Sequence, residues 1–395
     1  MFLAAAPYFQ TRFQDNERIL THFQSSIISV SCVTNLSAML VLSNMQSRAS
    51  YPKRIMSSLI VNTIVFILLT ISTSYFRHIS SAAYFVFTLI MVFLTSIATG
   101  LCQNGTFAFA ASFGRPEYIQ AIMTGQAVAG VLPSIAQILS VLAVPEPDRW
   151  NNITSEAAVP SNENTLSAFI YFLTATAVSS VTILALIPLL LKQKRELERQ
   201  IMSSVTSIEE LERTKRKVVS MRTLYRKLNW LSPTIFTCFL ITMFFPVFTQ
   251  KVVSVIPTDQ APRLLQPATF IPLGFLVWNS ADLFGRLLTL LRFTSSPWPI
   301  VLFICALLRA GFIPLYLLCN IEGKGAIVKS DAFYLFVVQF GFGVTNGFLG
   351  STTMITARKY VDQAEQEATG GFMALNLVAG LTAGSLLSFS ISGIS

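Results

Sequence analysis

Charged residues are scarce in this chain of 395 residues, where Asp, Glu, Lys and Arg make up 12% against 53% hydrophobic residues. Soluble globular proteins carry about 25% charged residues, so the composition excludes an ordinary soluble domain. A membrane-spanning helix needs about 20 apolar residues. The apolar runs are long and lack the period-2 alternation of barrel strands. The predicted fold class is therefore all-α and integral to a membrane.

Residues that carry chemistry are equally scarce. The chain has two histidines, and its five cysteines include no C-x-x-C pair, so no zinc site or disulfide framework is indicated. The phosphate-binding motif G-x-x-x-x-G-K-[ST] is absent, as are the hydrolase motifs H-E-x-x-H and G-x-S-x-G. We therefore expect no enzymatic activity, no coupling to ATP, no cofactor and no bound metal.

Apolar runs long enough to span a bilayer follow one another along the chain. They occupy residues 23–46, 55–76, 82–113, 117–144, 166–191, 229–250, 266–291, 297–319, 330–356 and 368–393. The apolar residues 1–9 cover only about half a bilayer at 1.5 Å per residue, so we interpret them as the second half of a truncated first helix. The predicted organisation is a six-helix half-bundle over residues 1–191 and a five-helix half-bundle over residues 229–395.

A polar, basic stretch, residues 192–228, separates the two predicted halves. Of the 28 Lys and Arg residues, eighteen lie in loops on the side of this linker, eight lie in loops on the other side, and two lie within predicted spans. Positive charge accumulates in cytoplasmic loops, so we expect a cytoplasmic linker and a carboxyl terminus that is extracellular or luminal. The net charge of +9 then reflects orientation in the lipid bilayer, and no nucleic-acid partner is expected. On the opposite side, Asn152 begins a predicted glycosylation sequon.

The most polar intramembrane segment is Trp278-Asn-Ser-Ala-Asp-Leu-Phe-Gly-Arg286. Asp282 and Arg286 are four residues apart, so both project from one helical face and can pair. Charges inside membrane helices are costly and usually face the bundle interior or a water-filled cavity. One interpretation is a self-neutralising pair that only ties helices together. The other, which Asn279 one turn away favours, is a polar surface that faces a substrate.

Other polar and small residues within the spans fit helix contacts. Single amides such as Gln126, Asn346 and Asn376 are more often interhelical hydrogen-bond partners than ligands. Arg309 is a second intramembrane cation with no acid in its own span. Small residues at four-residue spacing predict close helix packing, at Gly125/Ala129 with the adjoining Gly130, Gly343/Gly347 and Gly380/Gly384.

Several short segments follow one another in order along the spans. They are Ser50-Tyr-Pro-Lys-Arg54, Thr124-Gly-Gln-Ala-Val-Ala-Gly130, Phe245-Pro246, Asp282-Leu-Phe-Gly-Arg286, Leu318-Cys-Asn320, Asn346-Gly347 and Ala364-Glu-Gln-Glu-Ala-Thr-Gly370. Taken in this order, they resemble the equilibrative nucleoside transporter family. The sequence around residues 5–9 and 50–54 is most similar to that of fungal members, including the vacuolar branch. Residence in a vacuolar or other endomembrane, or in the plasma membrane, is the matching expectation.

The resemblance implies a major-facilitator-like bundle of 6+5 helices that moves nucleosides, and sometimes nucleobases, passively by alternating access around a central site. It implies that Asp282 and Arg286 contact the ribose hydroxyls and that Gln103 meets the base edge. Leu381 and Leu3 would line the cavity. No obligatory protein partner is inferred.

Two features depart from the family pattern. Ala127 replaces the second glycine of its G-Q-G-x-A-G motif. The family's first helix also carries a Leu-Pro-Trp-Asn element, and this chain begins just after its place, so we expect Met1 to be a misplaced start or the end of a truncated product. Two other functions stay open on the residues alone: a different major-facilitator-type carrier of sugars or drugs, and a membrane receptor or scaffold that transports nothing.

Overall fold

A computed structural model describes residues 6–45, 50–75, 79–143, 161–202, 219–257, 260–291 and 298–392. Within these ranges the regular structure is helical, and the only β-type pairing is one antiparallel bridge between Val252 and Ile321. The helices are α1 (Ala6–Phe13), α2 (Glu17–Asn44), α3 (Tyr51–Tyr75), α4 (Ser81–Ser112), α5 (Pro116–Ala143), α6 (Ser161–Met202), α7 (Met221–Lys227), α8 (Leu231–Thr242), α9 (Phe244–Thr249), α10 (Pro267–Leu288), α11 (Pro299–Leu308), α12 (Phe312–Tyr316), α13 (Gly341–Ala357) and α14 (Gln366–Ser392). A π-helical segment, Phe333–Phe340, leads into α13.

Nine helical segments in the described ranges are long and apolar enough to cross a bilayer. They coincide with nine of the ten spans predicted from the sequence. The tenth, residues 266–291, forms α10, which has 22 residues and is about 33 Å long at 1.5 Å per residue. The all-helical membrane fold is thereby confirmed, and the chain is a multi-pass membrane protein.

The chain forms two compact units, and the first comprises residues 1–109 and 152–218. Within it α3 packs along α6, and α1 contacts both α2 and α6. Its core is aromatic: Phe9 stacks on Phe13 with ring centroids 6.0 Å apart, and Phe172 is fully buried. The Tyr84 hydroxyl lies 3.1 Å from that of Tyr8, so the two phenol hydroxyls hydrogen-bond to each other inside the core.

The second unit comprises residues 110–151 and 219–395. Its closest helix pairs are α10 with α13, α10 with α5, and α14 with α8. Helix α5 thus packs among the helices of the carboxyl-terminal part of the chain. The half-bundle and linker boundaries predicted at residues 191, 192, 228 and 229 stay a prediction.

The end of the predicted linker is anchored within the second unit. Ser220 caps α7 by accepting a hydrogen bond from the Thr223 amide. The Lys227 ammonium donates to Glu365 at 2.5 Å and to Asp362 at 3.3 Å. The hydrogen bond to Glu365 raises the pKa of Lys227 above its ordinary value. This ion pair ties the end of α7 to the start of α14.

Candidate functional site

The candidate site is built on α10. Pro267 occupies the first turn, where its fixed φ favours helix initiation and its missing N–H costs nothing. Asn279, Asp282 and Arg286 follow at spacings of three and four residues, so they share one face of the helix. The structure buries Asp282 to 3% and Arg286 to 5% exposure, and this face therefore points into the second unit.

Asp282 and Arg286 form an ion pair within their own helix. The Arg286 Nε donates to Asp282 Oδ2 at 2.8 Å. Replacing a buried pair of this kind by apolar residues is often neutral or stabilising. Its presence therefore favours a role beyond stability.

Helix α13 supplies a partner for the other oxygen of Asp282. The Asn346 amide nitrogen donates to Asp282 Oδ1 at 2.7 Å. The Asn346 oxygen accepts from the Thr242 hydroxyl at 2.6 Å, so α8 is linked to α10 through α13. Asn346 was predicted only as an interhelical amide, and Thr242 was missed, although it is a hydroxyl within a predicted span.

Helix α5 supplies the contacts of Arg286. Its Nη1 donates to the Met123 carbonyl at 2.6 Å and to Gln126 Oε1 at 3.4 Å. The Gln120 amide donates to the Arg286 carbonyl at 2.7 Å and accepts from the Thr289 hydroxyl at 2.8 Å. Gln120 was missed by sequence reasoning, and its polar character near the start of a span was the available signal.

The pair retains hydrogen-bonding capacity after these contacts. A carboxylate has about four acceptor sites, and each Asp282 oxygen accepts one hydrogen bond from the protein. Within the described residues, Arg286 Nη2 donates to no protein acceptor. The site can therefore both accept hydrogen bonds from a ligand and donate hydrogen bonds to it.

Glycines bring α13 and α10 into backbone contact. A Cβ added at Gly343 would clash with the Trp278 carbonyl, and one at Gly347 with the Asp282 carbonyl. On α14, a Cβ at Gly380 or Gly384 would clash with the backbone of α8 at Phe236 or Leu240. The approach of α13 to α10 thus places the Asp282 backbone directly against Gly347.

The α5 positions of the small-residue pattern differ from one another. A Cβ at Gly130 would meet Asn279 Oδ1 at 2.5 Å, whereas one at Gly125 would meet nothing within 4 Å. Ala129 is exposed. The Asn279 amide nitrogen donates to the Phe275 carbonyl at 2.8 Å, so Gly130 gives its oxygen room beside α5.

The remaining predicted site residues lie on other helices or outside the described residues. Gln103, on α4 in the first unit, accepts a 3.4 Å hydrogen bond from the Asn35 amide. Leu381 is half-buried on α14 in the second unit. Leu3 and the sequon residue Asn152 fall outside the described residues. The structure thus brings together Asn279, Asp282 and Arg286.

Comparisons with known proteins bear on the whole chain. The family model described as nucleoside transporter matches residues 89–392. The nucleoside transporter FUN26 of Saccharomyces cerevisiae is 28% identical, covering 98% of this chain and 80% of its own length. Human equilibrative nucleoside transporter 1 is 28% identical, with 86% of this chain and 76% of its own length covered.

A solved structure is similar in fold. The major facilitator superfamily transporter FucP, in an outward conformation, superposes with a TM-score of 0.52 at 13% sequence identity. The match covers 99% of this chain and 96% of that one. At this identity the likeness concerns the fold alone, and it confirms the predicted major-facilitator-like bundle.

Proposed function

Because this chain belongs to the equilibrative nucleoside transporter family, we propose that it carries nucleosides passively across a membrane by alternating access, with nucleobases as a second substrate class. It is a transporter and not an enzyme. The observation that carries the proposal is the match of the family model to residues 89–392, which contain the buried Asp282–Arg286 pair.

Asp282 and Arg286 are the proposed contacts of the ribose. Vicinal hydroxyls are donors that a carboxylate can accept, and a guanidinium donates to hydroxyl and ring oxygens. The unused lone pairs of Asp282 and the Nη2 group of Arg286 have this chemistry. Asn279, one turn earlier on the same face, is the proposed third polar contact.

Gln103 is the proposed contact of the base. A primary amide both donates and accepts, which suits bases whose edges differ. Because Asn35 donates to the Gln103 oxygen, the Gln103 amide nitrogen is the group proposed to donate to a base acceptor. Leu381 and Leu3 are the proposed apolar lining.

Uptake of labelled uridine into liposomes reconstituted with the purified chain tests this function. We expect saturable uptake that unlabelled nucleosides compete, and an internal concentration that levels at the external one with or without a pH gradient. Protein-free liposomes are the control. Absence of flux would favour a receptor or scaffold, competition by sugars or drugs but not nucleosides would favour another carrier, and accumulation that an ionophore abolishes would contradict passive transport.

The proposed orientation places residues 192–228 in the cytoplasm and the carboxyl terminus outside or in a lumen. The distribution of Lys and Arg between alternate loops supports it. A vacuolar, endomembrane or plasma-membrane location is proposed from the resemblance of residues 5–9 and 50–54 to fungal family members, and fluorescence of a tagged chain beside compartment markers would distinguish these locations.

A further inference from the structure

Arg309 is a second buried cation in the unit that holds Asp282. It occupies a short 3-10 turn, Arg309–Gly311, between α11 and α12, and it is 2% exposed. Within the described residues no carboxylate lies within ion-pair distance of it. A buried charge is costly unless it is paired or hydrogen-bonded, so the buried Arg309 guanidinium depends on hydrogen bonds to neutral groups.

The guanidinium of Arg309 is held by neutral groups. Nη1 donates to the Cys238 carbonyl at 2.7 Å, and Nη2 donates to the Thr242 hydroxyl at 3.2 Å. Nε donates to the Thr345 hydroxyl at 3.3 Å, and the guanidinium carbon lies 4.7 Å from the centre of the Phe342 ring. Two of these contacts, Cys238 and Thr242, lead towards Asn346.

Three successive hydrogen bonds connect Arg309 to Asp282 through Thr242 and Asn346. In each of them the group nearer to Arg309 is the donor. Arginine has donors and no acceptor, whereas an ionised carboxylate only accepts. Thr242 therefore accepts from Arg309 and places its single hydrogen towards Asn346 Oδ1, 2.6 Å away. Its other acceptor, the Cys238 carbonyl, lies at the longer distance of 2.8 Å and also receives a hydrogen bond from Arg309.

This chain of hydrogen bonds determines the orientation of the Asn346 amide. With its oxygen accepting from the Thr242 hydroxyl and from the Cys238 thiol, which lies 3.5 Å away, Asn346 presents its nitrogen to Asp282 Oδ1 at 2.7 Å. The opposite orientation would set the amide oxygen against the carboxylate, which repels it. Arg309 is thus connected to Asp282 through Thr242 and Asn346 without touching it.

We infer that Arg309 is a positioning residue for ribose recognition, acting through Thr242 and Asn346 to hold the Asp282 carboxylate towards the sugar hydroxyls. The inference rests on the proposed function, because it takes Asp282 as the ribose contact. It adds a specificity role for Arg309 and Thr242, which lie on other helices than the pair.

The test compares two nucleosides in one protein. In reconstituted liposomes, the KM for 2′,3′-dideoxyuridine divided by the KM for uridine gives a ribose-discrimination ratio that does not depend on how much protein is folded. Thr242→Val removes one hydroxyl at similar volume. It interrupts the relay, by which we mean the hydrogen bonds from Arg309 through Thr242 and Asn346 to Asp282. We expect it to lower the ratio roughly tenfold, as expected for losing one charge-assisted hydrogen bond, chiefly by raising the KM for uridine.

Matched variants separate the relay from its surroundings. Thr242→Ser, which restores a hydroxyl, should recover the ratio. Thr345→Val removes a contact of Arg309 that does not lead to Asn346, and it should leave the ratio at the wild-type value. If Thr242→Val does not accumulate in folded form, Thr242→Ala replaces it with the same expected fall.

The outcomes distinguish this inference from the function on which it rests. A wild-type ratio near one, or an Asp282→Asn variant with an unchanged ratio, would overturn the ribose site and the relay together. A ratio that Asp282→Asn abolishes and Thr242→Val leaves intact would overturn the relay alone. A fall in Thr345→Val as large as that in Thr242→Val would reduce Arg309 to a packing role.

Discussion

At the scale of single residues, the contacts of Arg286 depend on the shape of its side chain as well as its charge. Nε reaches Asp282 while Nη1 reaches the Met123 carbonyl on another helix. A lysine ammonium is a point charge on a flexible stem and cannot reproduce this planar fork. The guanidinium therefore fixes α10 to α5 at the height of Asp282.

We predict that Arg286→Lys raises the KM for uridine by about tenfold or more, since it loses at least one charge-assisted hydrogen bond. Initial rates of uptake into liposomes measure the change. Arg226→Lys, at an exposed position on α7, is the matched control and should behave as the wild type. Equal kinetics in the two variants would show that Arg286 supplies only charge.

Residue patterns predicted the pair but not its surroundings. Spacing within one helix sufficed for Asp282 and Arg286, because residues four apart share a face. Asn346 and Gln120 reach this pair from positions 64 and 166 residues away from their partners. Such partners depend on which helices pack together, and a single sequence does not encode that in any local spacing.

At the scale of helices, the crossing of α10 and α13 sets the site. Gly347 on α13 faces the Asp282 carbonyl, and Gly285 on α10 faces the Val344 carbonyl. Backbones approach this closely only where side chains are absent. The small-residue spacing predicted such an approach, but it could not identify α10 as the partner, nor distinguish Gly347 from Gly125, which has the same kind of pattern and no neighbour.

We predict that Gly347→Ala destabilises the protein by about 1–3 kcal/mol, the usual cost of overpacking, and lowers uptake by displacing Asp282. Gly125→Ala should be neutral or stabilise by up to about 1 kcal/mol through helix propensity. Thermal unfolding in detergent and liposome uptake measure both effects. Two variants with the same melting temperature would contradict the close contact.

At the scale of the whole molecule, composition indicates an integral membrane protein. Hydropathy is least informative for helix α10. Nine spans are apolar enough to be identified by hydropathy alone. Helix α10 is not among them because it carries Asn279, Asp282 and Arg286. The same polar groups that lower the hydropathy of α10 make it the candidate site, so among the ten spans predicted from the sequence the candidate helix is the least apolar by this measure.

Orientation is the remaining property of the whole molecule, and two exposed positions make it testable. Tyr225 on α7 is 53% exposed, and Ile327, between α12 and the π-helical segment, is 78% exposed. Tyr225 adjoins the basic linker, whereas Ile327 lies in a loop on the side with fewer Lys and Arg residues. Because basic loops stay in the cytoplasm, we expect the two positions on opposite faces of the membrane.

In sealed vesicles whose cytoplasmic face points outwards, we predict that a membrane-impermeant maleimide labels Tyr225→Cys at once and Ile327→Cys only after detergent is added. The parent chain, with its five cysteines, gives the background for both. In vesicles of the opposite orientation the order should reverse, because the charge distribution belongs to the chain and not to the preparation. Labelling of both variants from one face would contradict an odd number of crossings between them, and the reverse order would invert the orientation proposed for every loop.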